Sequence, residues 1–335
     1  MGGAITLEKV KVFSLFSGCG GMDLGLEGGF QYLNQNYQNH PFEIISAIDN
    51  NSYAVSIYRD NFKHHIIEGD IRELDSNAIL DHDLLVGGFP CQSFSISAQN
   101  PPRLGYSDDN GQLFFEMVKI LRWKMPKIFV AENVKGLLSA NKRKAFPLVV
   151  REFEKAGYNV VHKLLNSSHY GIPQKRERVF IVGIRKDLDH TAYKFPEAVT
   201  QMGELIPLKE VLDEKADSDP KWFFSKRAVD GMLRVKHKMN KGRAQDINNP
   251  CNTISSHLSK VSLNSTDPVL KIKGKYRRFT PREAARIQSF PESFNFESVS
   301  DGRKYHAIGN AVPPVMMWHV ANSLIDFINE MKKKK

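Results

Sequence analysis

Cys91 stands in the run Gly87-Gly88-Phe89-Pro90-Cys91-Gln92-Ser93-Phe94-Ser95, directly after a short apolar segment. Two glycines and a proline fix the chain where a strand ends, which holds a thiol at the mouth of a sheet and not inside it. Such a thiol is a candidate nucleophile. Thiolate is the reactive form and the free group ionises only near pH ~8.5, so the site has to favour ionisation or take the proton during attack. Glu132 closes a second apolar run, where its carboxyl can face the same crevice. Arg176 and Arg178 lead into a third run and, two residues apart, point to one face of it. Read alone, Glu132 is more readily a helix-start acid beside the helix dipole, and the arginines more readily a pair of surface charges.

A second set of residues suits a nucleoside. The first apolar run ends in Phe16-Ser17-Gly18-Cys19-Gly20-Gly21, a turn that lets backbone pass close to a ligand before a helix begins. Asp23 stands where a dinucleotide fingerprint has its last glycine, and there is no Walker lysine. Asp49 ends the second run, the position that holds ribose hydroxyls in doubly wound folds, and Asp70 with Ile71 follows one strand later, where an acid can accept from an adenine amine. Each aspartate alone is also an ordinary helix cap or turn residue. Together they favour an adenosyl ligand without phosphates.

The elements that must position these groups are legible as apolar, β-branched runs at residues 11–16, 43–48, 84–86, 128–131, 160–164 and 179–184. Helix-period segments at 52–62, 111–124 and 144–156 separate them, giving a βαβα pattern and an α/β fold with a mostly parallel sheet. After Arg185 the rhythm breaks. Residues 189–275 are polar and irregular, as in a second, smaller domain built for contact. Helical signals return at Thr280-Pro281, an N-cap and N1 pair opening 282–288, and at 315–331. The expected division is 1–188 catalytic and cofactor-binding, 189–275 recognition, and 276–335 packing back on the first domain.

Charge locates a partner. Residues 221–280 hold 14 Lys and Arg against 3 Asp, so essentially all of the net +10 lies in that segment, the footprint of a polyanion partner or else a solvated basic surface. The 41% hydrophobic and 25% charged residues fit a packed globular enzyme. With no apolar run near the ~20 residues of a membrane span and no secretory pattern at the N-terminus, a cytoplasmic protein without a membrane partner is expected. Three separated cysteines form no Cys-x-x-Cys pair, so no metal is expected, and Cys19 and Cys251 read as buried small hydrophobes.

Taken in order, Gly88-Phe89-Pro90-Cys91-Gln92, Ala131-Glu132-Asn133-Val134, Tyr170-Gly171-Ile172-Pro173-Gln174-Lys175-Arg176-Glu177-Arg178 and Gly309-Asn310 resemble the motif set of the DNA cytosine-5 methyltransferase family, of the bacterial restriction-modification or orphan type. The likeness covers nearly the whole chain outside about 189–275. It implies a Rossmann-like S-adenosylmethionine-dependent methyltransferase fold with a smaller irregular target-recognition domain. It implies that Cys91 adds to cytosine C6, that Glu132 holds the N3 and N4 edge, and that Arg176 and Arg178 orient the cysteine loop and the cytosine O2. S-Adenosyl-L-methionine is the implied cofactor. Phe16, Gly18, Gly20, Gly21, Asp49, Asp70, Ile71, Pro90 and Leu113 match its binding positions, and Asn310 a position near its methionine part. Asn50 belongs to the same group but departs from the pattern, standing where relatives often stack an aromatic ring on adenine.

The resemblance further implies double-stranded DNA as partner and a target cytosine turned out of the stack. Ser95, Gln174, Arg243, Thr253 and Arg282 are the candidate DNA contacts, Thr253 through a short block, Pro250-Cys251-Asn252-Thr253-Ile254, that resembles the family's recognition domain. Residues 93–110 resemble the family's mobile lid. A monomer is expected, with at most a cognate restriction endonuclease acting on the same site without stable contact. Two rivals stay in view: a tRNA cytosine-5 methyltransferase, against which the branch's Cys-Phe-Thr signature is absent, and a non-catalytic DNA-binding relative, against which the full set of catalytic residue types is present.

Overall fold

Apolar side chains that alternate between two buried faces account for the continuous runs in the sequence. The computed structural model describes residues 9–77, 79–90, 109–201, 204–234, 243–258 and 267–333. Its central sheet has seven strands, β1 (Val10–Leu15), β2 (Phe42–Asp49), β3 (Ile66–Glu68), β4 (Leu84–Gly87), β5 (Ile128–Val134), β6 (Tyr158–Asn166) and β7 (Glu177–Arg185). They lie in the order β3-β2-β1-β4-β5-β7-β6. The first five run parallel, while β7 is antiparallel to both β5 and β6.

Among the helices are α1 (Gly21–Glu27), α2 (Ser52–Asn61), α3 (Asp109–Lys124), α4 (Ala145–Lys155), α5 (Lys226–Arg234), α6 (Pro281–Ile287), α7 (Asp301–Asn310) and α8 (Pro314–Lys333). On one sheet face Val12, Ile44, Val86 and Val130 pack with Leu26 of α1 and Met316 and Val320 of α8. On the other, Phe13, Leu85 and Phe129 pack with Phe114 and Leu121 of α3 and Phe153 of α4. Burial on both faces is what a parallel sheet requires, and it makes period 2 hard to see in the sequence. No helix of the described residues is long and apolar enough to cross a membrane.

Two boundaries differ from expectation. β5 continues to Val134, three residues past the apolar run, because β7 pairs alongside it and sets Phe180 opposite Glu132. Glu132 is thus fixed within a strand. The expected domain boundary at 275 cuts the hairpin Leu270–Ile272/Lys275–Arg277, in which Ile272 faces Lys275. One core joins Leu208, Ile254 and Leu270 to Phe279, Ile287, Phe290 and Ile308, and also to Cys19 and Ile57, so α6 and α7 pack between the recognition segment and the first domain, while α8 covers the sheet. Thr280 and Glu283 form the capping box that starts α6.

Candidate active site

Strand order reverses at β1, which has β2 on one side and β4 on the other; crevices at the carboxyl ends of strands open at such points. The crevice here encloses about 650 Å³ and is walled by the β1–α1 turn, the ends of β2, β4 and β5, and the end of α7. That lies within the roughly 300–1,000 Å³ of small-molecule sites.

On the β1 side the chain turns through Phe16 with φ 52° and Gly18 with φ 56°. A bulky residue in the left-handed region is strained and is held only by its surroundings, a common feature of ligand sites. Asp49 clasps this turn: its carboxylate accepts from Gly18 N and Asn51 N, both at 2.8 Å. Burial raises the Asp49 pKa, and those two backbone donors oppose the rise. Asp70 caps the following 3-10 turn by accepting from Arg72 N at 2.9 Å, and the Arg72 side chain lowers its pKa. Of the expected cofactor residues, Phe16, Gly18, Gly21, Asp49, Asn50, Asp70, Ile71, Pro90, Leu113 and Asn310 line the crevice. Gly20 does not. Its φ is 90° and a side chain there would run into Phe62, so it is a packing glycine at the start of α1.

On the β5 side Glu132 is buried and Arg178 Nε lies 3.0 Å from its Oε1. Burial raises the Glu132 pKa, with Arg178 and Arg176 pulling it back. Beside it, Asn133 Nδ2 donates to Phe89 O at 2.9 Å and fastens the loop that leads to residue 91. Cys91, Ser95 and residues 93–108 of the expected lid lie outside the described residues. Cys19 and Cys251 are buried, and burial pushes the Cys19 thiol up to about 12 and the Cys251 thiol higher still. Neither is a thiolate at neutral pH.

Arg176 plays a part that sequence reading did not give it. Fully buried, it donates to Ile254 O at 3.1 Å, Gly309 O at 3.0 Å and Ala311 O at 3.1 Å, joining the recognition segment to the end of α7. Carbonyls at a helix C-terminus carry partial negative charge, which makes them suitable partners for a guanidinium without a carboxylate contact. Gly309 permits the junction, because a Cβ there would sit 2.2 Å from the Ser255 carbonyl carbon.

The expected DNA contacts separate. Thr253 is exposed, its hydroxyl donating to Lys175 O at 2.8 Å where Cys251–Asn252 pairs with Gln174–Lys175. Gln174 is fully buried and bonds Ile287 O, Gln288 Oε1 and Ile254 N. Arg243 is buried and donates to Asp267 O at 2.9 Å, while Arg282 donates to Phe294 O at 3.0 Å. The structure therefore brings Gln174 and Arg243 to the interior and ties Arg282 to its own loop. Crevice residues to which sequence reading assigned no role include Asn133 and the exposed Val134, both within a motif that marks the site, and His306, which approaches Tyr53 Oη at 3.1 Å.

A reversed parallel sheet with a glycine turn, an acid at the end of β2 and a buried acid-arginine pair across the crevice defines a Rossmann-like methyltransferase. Solved structures agree on the fold. The Entamoeba histolytica methyltransferase EhMeth superposes with a TM-score of 0.75 at 18% identity, over 96% of this chain and 99% of that one. The S. pombe Dnmt2 methyltransferase superposes with 0.72 at 21% identity, over 96% and 99%. The family model for C-5 cytosine-specific DNA methylase matches residues 10–326, so the chain belongs to that family and is a DNA (cytosine-5-)-methyltransferase. It is 35% identical to the Type II methyltransferase M.FnuDI of Fusobacterium nucleatum over 97% of both chains. It is 33% identical to M.NlaX of Neisseria lactamica over 97% of this chain and 99% of that one. Family and fold imply S-adenosylmethionine as methyl donor, and the clasped turn, the two strand-end acids and the apolar walls fit an adenosyl group.

Proposed function

We propose that the enzyme methylates C5 of a cytosine swung out of duplex DNA, through a transient bond between Cys91 Sγ and C6. The supporting observation is Glu132, a buried carboxyl with a raised pKa on the crevice wall, held by Arg178 and facing the side that carries the adenosyl-type cradle.

Bound S-adenosylmethionine supplies an electrophilic methyl group. Asp49 suits its ribose hydroxyls, Asp70 the adenine amine and Asn310 the methionine part, with Phe16, Ile71, Pro90 and Leu113 as apolar walls. With Asn50 in place of a stacking ring, Phe16 is the aromatic residue that the glycine-turn side of the wall still offers. Turning the base out exposes C5 and C6, which are shielded within the stack, at a cost of a few kcal/mol. Cys91 thiolate adds to C6 while Glu132, protonated more readily than an exposed glutamate, shares its proton with N3. That contact strengthens as charge develops on the ring, so it favours the transition state over the ground state. Arg178 keeps the carboxyl aimed. Once C5 is methylated, solvent takes the C5 proton, its electron pair re-forms the C5–C6 double bond as the C6–Sγ bond breaks, Cys91 leaves as thiolate, and N3 returns its proton to Glu132. The relatives' names support a modification enzyme of Type II kind, either beside a restriction endonuclease or alone.

The test uses duplex DNA containing 5-fluorocytosine, whose fluorine cannot leave as the proton does. A covalent complex mapping to Cys91, absent in Cys91→Ala, is expected. An adduct at another residue, or methylation without any adduct, overturns the mechanism.

A further inference from the structure

The recognition segment carries a two-stranded hairpin, flanked by an isolated bridge, whose two faces differ sharply. The hairpin Leu270–Ile272/Lys275–Arg277 is extended by residues 222–224: Phe223 pairs antiparallel with Arg277, Phe224 N donates to Tyr276 O at 3.0 Å, and Arg278 N donates to Trp222 O at 2.9 Å. Strand alternation then sends Phe223, Arg277, Leu270 and Ile272 inward, where Arg277 meets Asp217 at 2.7 Å and Glu283 at 2.8 Å. Phe224, Tyr276, Lys271 and Arg278 take the alternate, outward face, with Trp222 at the end of the 3-10 turn Pro220–Trp222 that leads into it.

On that face each ring has a cation above it. Lys221 Nζ lies 4.7 Å from the Trp222 centroid, Arg278 Cζ 5.5 Å from Phe224 and Lys271 Nζ 5.5 Å from Tyr276. Lys273 and Gly274, with φ 47° and 80°, make the tight tip of the hairpin, and a Cβ at Gly274 would meet nothing within 4 Å. The Lys271 and Lys273 side chains are exposed, and Lys271, Lys273 and Arg278 make no ion pair among the described residues. Nearby Arg277, by contrast, is fully neutralised inside.

The geometry points to this face as a phosphate-backbone contact for duplex DNA, read by charge and not by base sequence; the inference rests on the reading that duplex DNA is the substrate. Rings already covered by their own cations are not open platforms for stacking bases, which disfavours a single-stranded partner. What the face offers is cations held in place by rings beside them, with less side-chain freedom to lose on meeting a line of phosphates. Duplex DNA presents one negative charge per about 1.7 Å of axis, so several contacts can form at once.

The test measures binding of the full chain to a labelled duplex of random sequence across a range of salt concentrations. Each lost phosphate contact reduces the slope of log K against log salt by about 0.9, so Lys271→Gln/Lys273→Gln should reduce it by about 1.8. If the contribution vanishes near 1 M salt, that slope means roughly 30-fold weaker binding at 0.15 M. Lys127→Gln, removing an exposed charge at the opposite ends of the strands, should leave the slope unchanged. An unchanged slope in the folded double variant overturns the assignment, as does a loss seen with tRNA but not with duplex. Failure of the Cys91 adduct would leave these slopes intact, and unchanged slopes with an intact adduct would remove this surface alone.

Discussion

Glu132→Gln separates a hydrogen bond from a proton. The amide is nearly isosteric, its Oε1 can still accept from Arg178 Nε, where the carboxylate stands at 3.0 Å, and its amino group can still face a ring nitrogen. It cannot hand over a proton. A positioned proton donor contributes about 10²–10⁴ in rate, so kcat should fall by that factor, while KM for DNA changes little because the ground-state hydrogen bonds persist. The substitution also removes a carboxylate that offsets the charge of Arg176 and Arg178 in this wall. Breaking a buried pair costs about 3–5 kcal/mol, so the folded fraction must be measured alongside. The assay is single-turnover methyl transfer across pH, normalised to folded protein. Because the Glu132 pKa is raised, the wild-type rate should lose an increment as pH rises through it, and the amide variant should lack that alkaline decline. A variant with kcat within about threefold of wild type, or one that keeps the decline, refutes the role given to Glu132.

Asp23 is buried at about pKa 6, with Ser14 Oγ donating to it at 2.6 Å and Tyr58 Oη at 2.7 Å. A pKa raised on folding from 3.8 means stability that is full below about 3.8 and lost as pH rises through about 6; Asp23→Asn should flatten that dependence, worth about 3 kcal/mol, in denaturant titrations at several pH values. Gly309→Ala must push the recognition segment off α7, so methyl transfer should fall at least about 10-fold with faster amide exchange around residues 251–256, and unchanged activity would contradict the close approach. Asp49→Ala removes the acceptor for Gly18 N and Asn51 N and the group assigned to the ribose; calorimetry should show about 10–100-fold weaker S-adenosylmethionine binding, and equal affinity would reject the assignment.

Local chemistry carried much of this protein in its sequence. The six apolar runs predicted as strands all fall on strands of the sheet, Thr280-Pro281 starts α6 with a capping box, and the strand-end acids Asp49 and Asp70 reach one crevice with the glycine turn. These follow from rules that act over a few residues: period, capping, and the place of a strand end in a parallel sheet. What tertiary structure decided lies between segments distant in the chain. A charged or amide side chain looks the same in sequence whether it meets solvent or backbone carbonyls, so Gln174 and Arg243, expected to contact DNA, are held inside, and Arg176, expected at the site, also binds three carbonyls from remote segments. Likewise the core from Leu208 to Ile308 and the cation-covered sheet face arise from the pairing of residues 222–224 with 276–278. Burial and partner are properties of the packed chain, and no local pattern encodes which remote carbonyl a guanidinium will find.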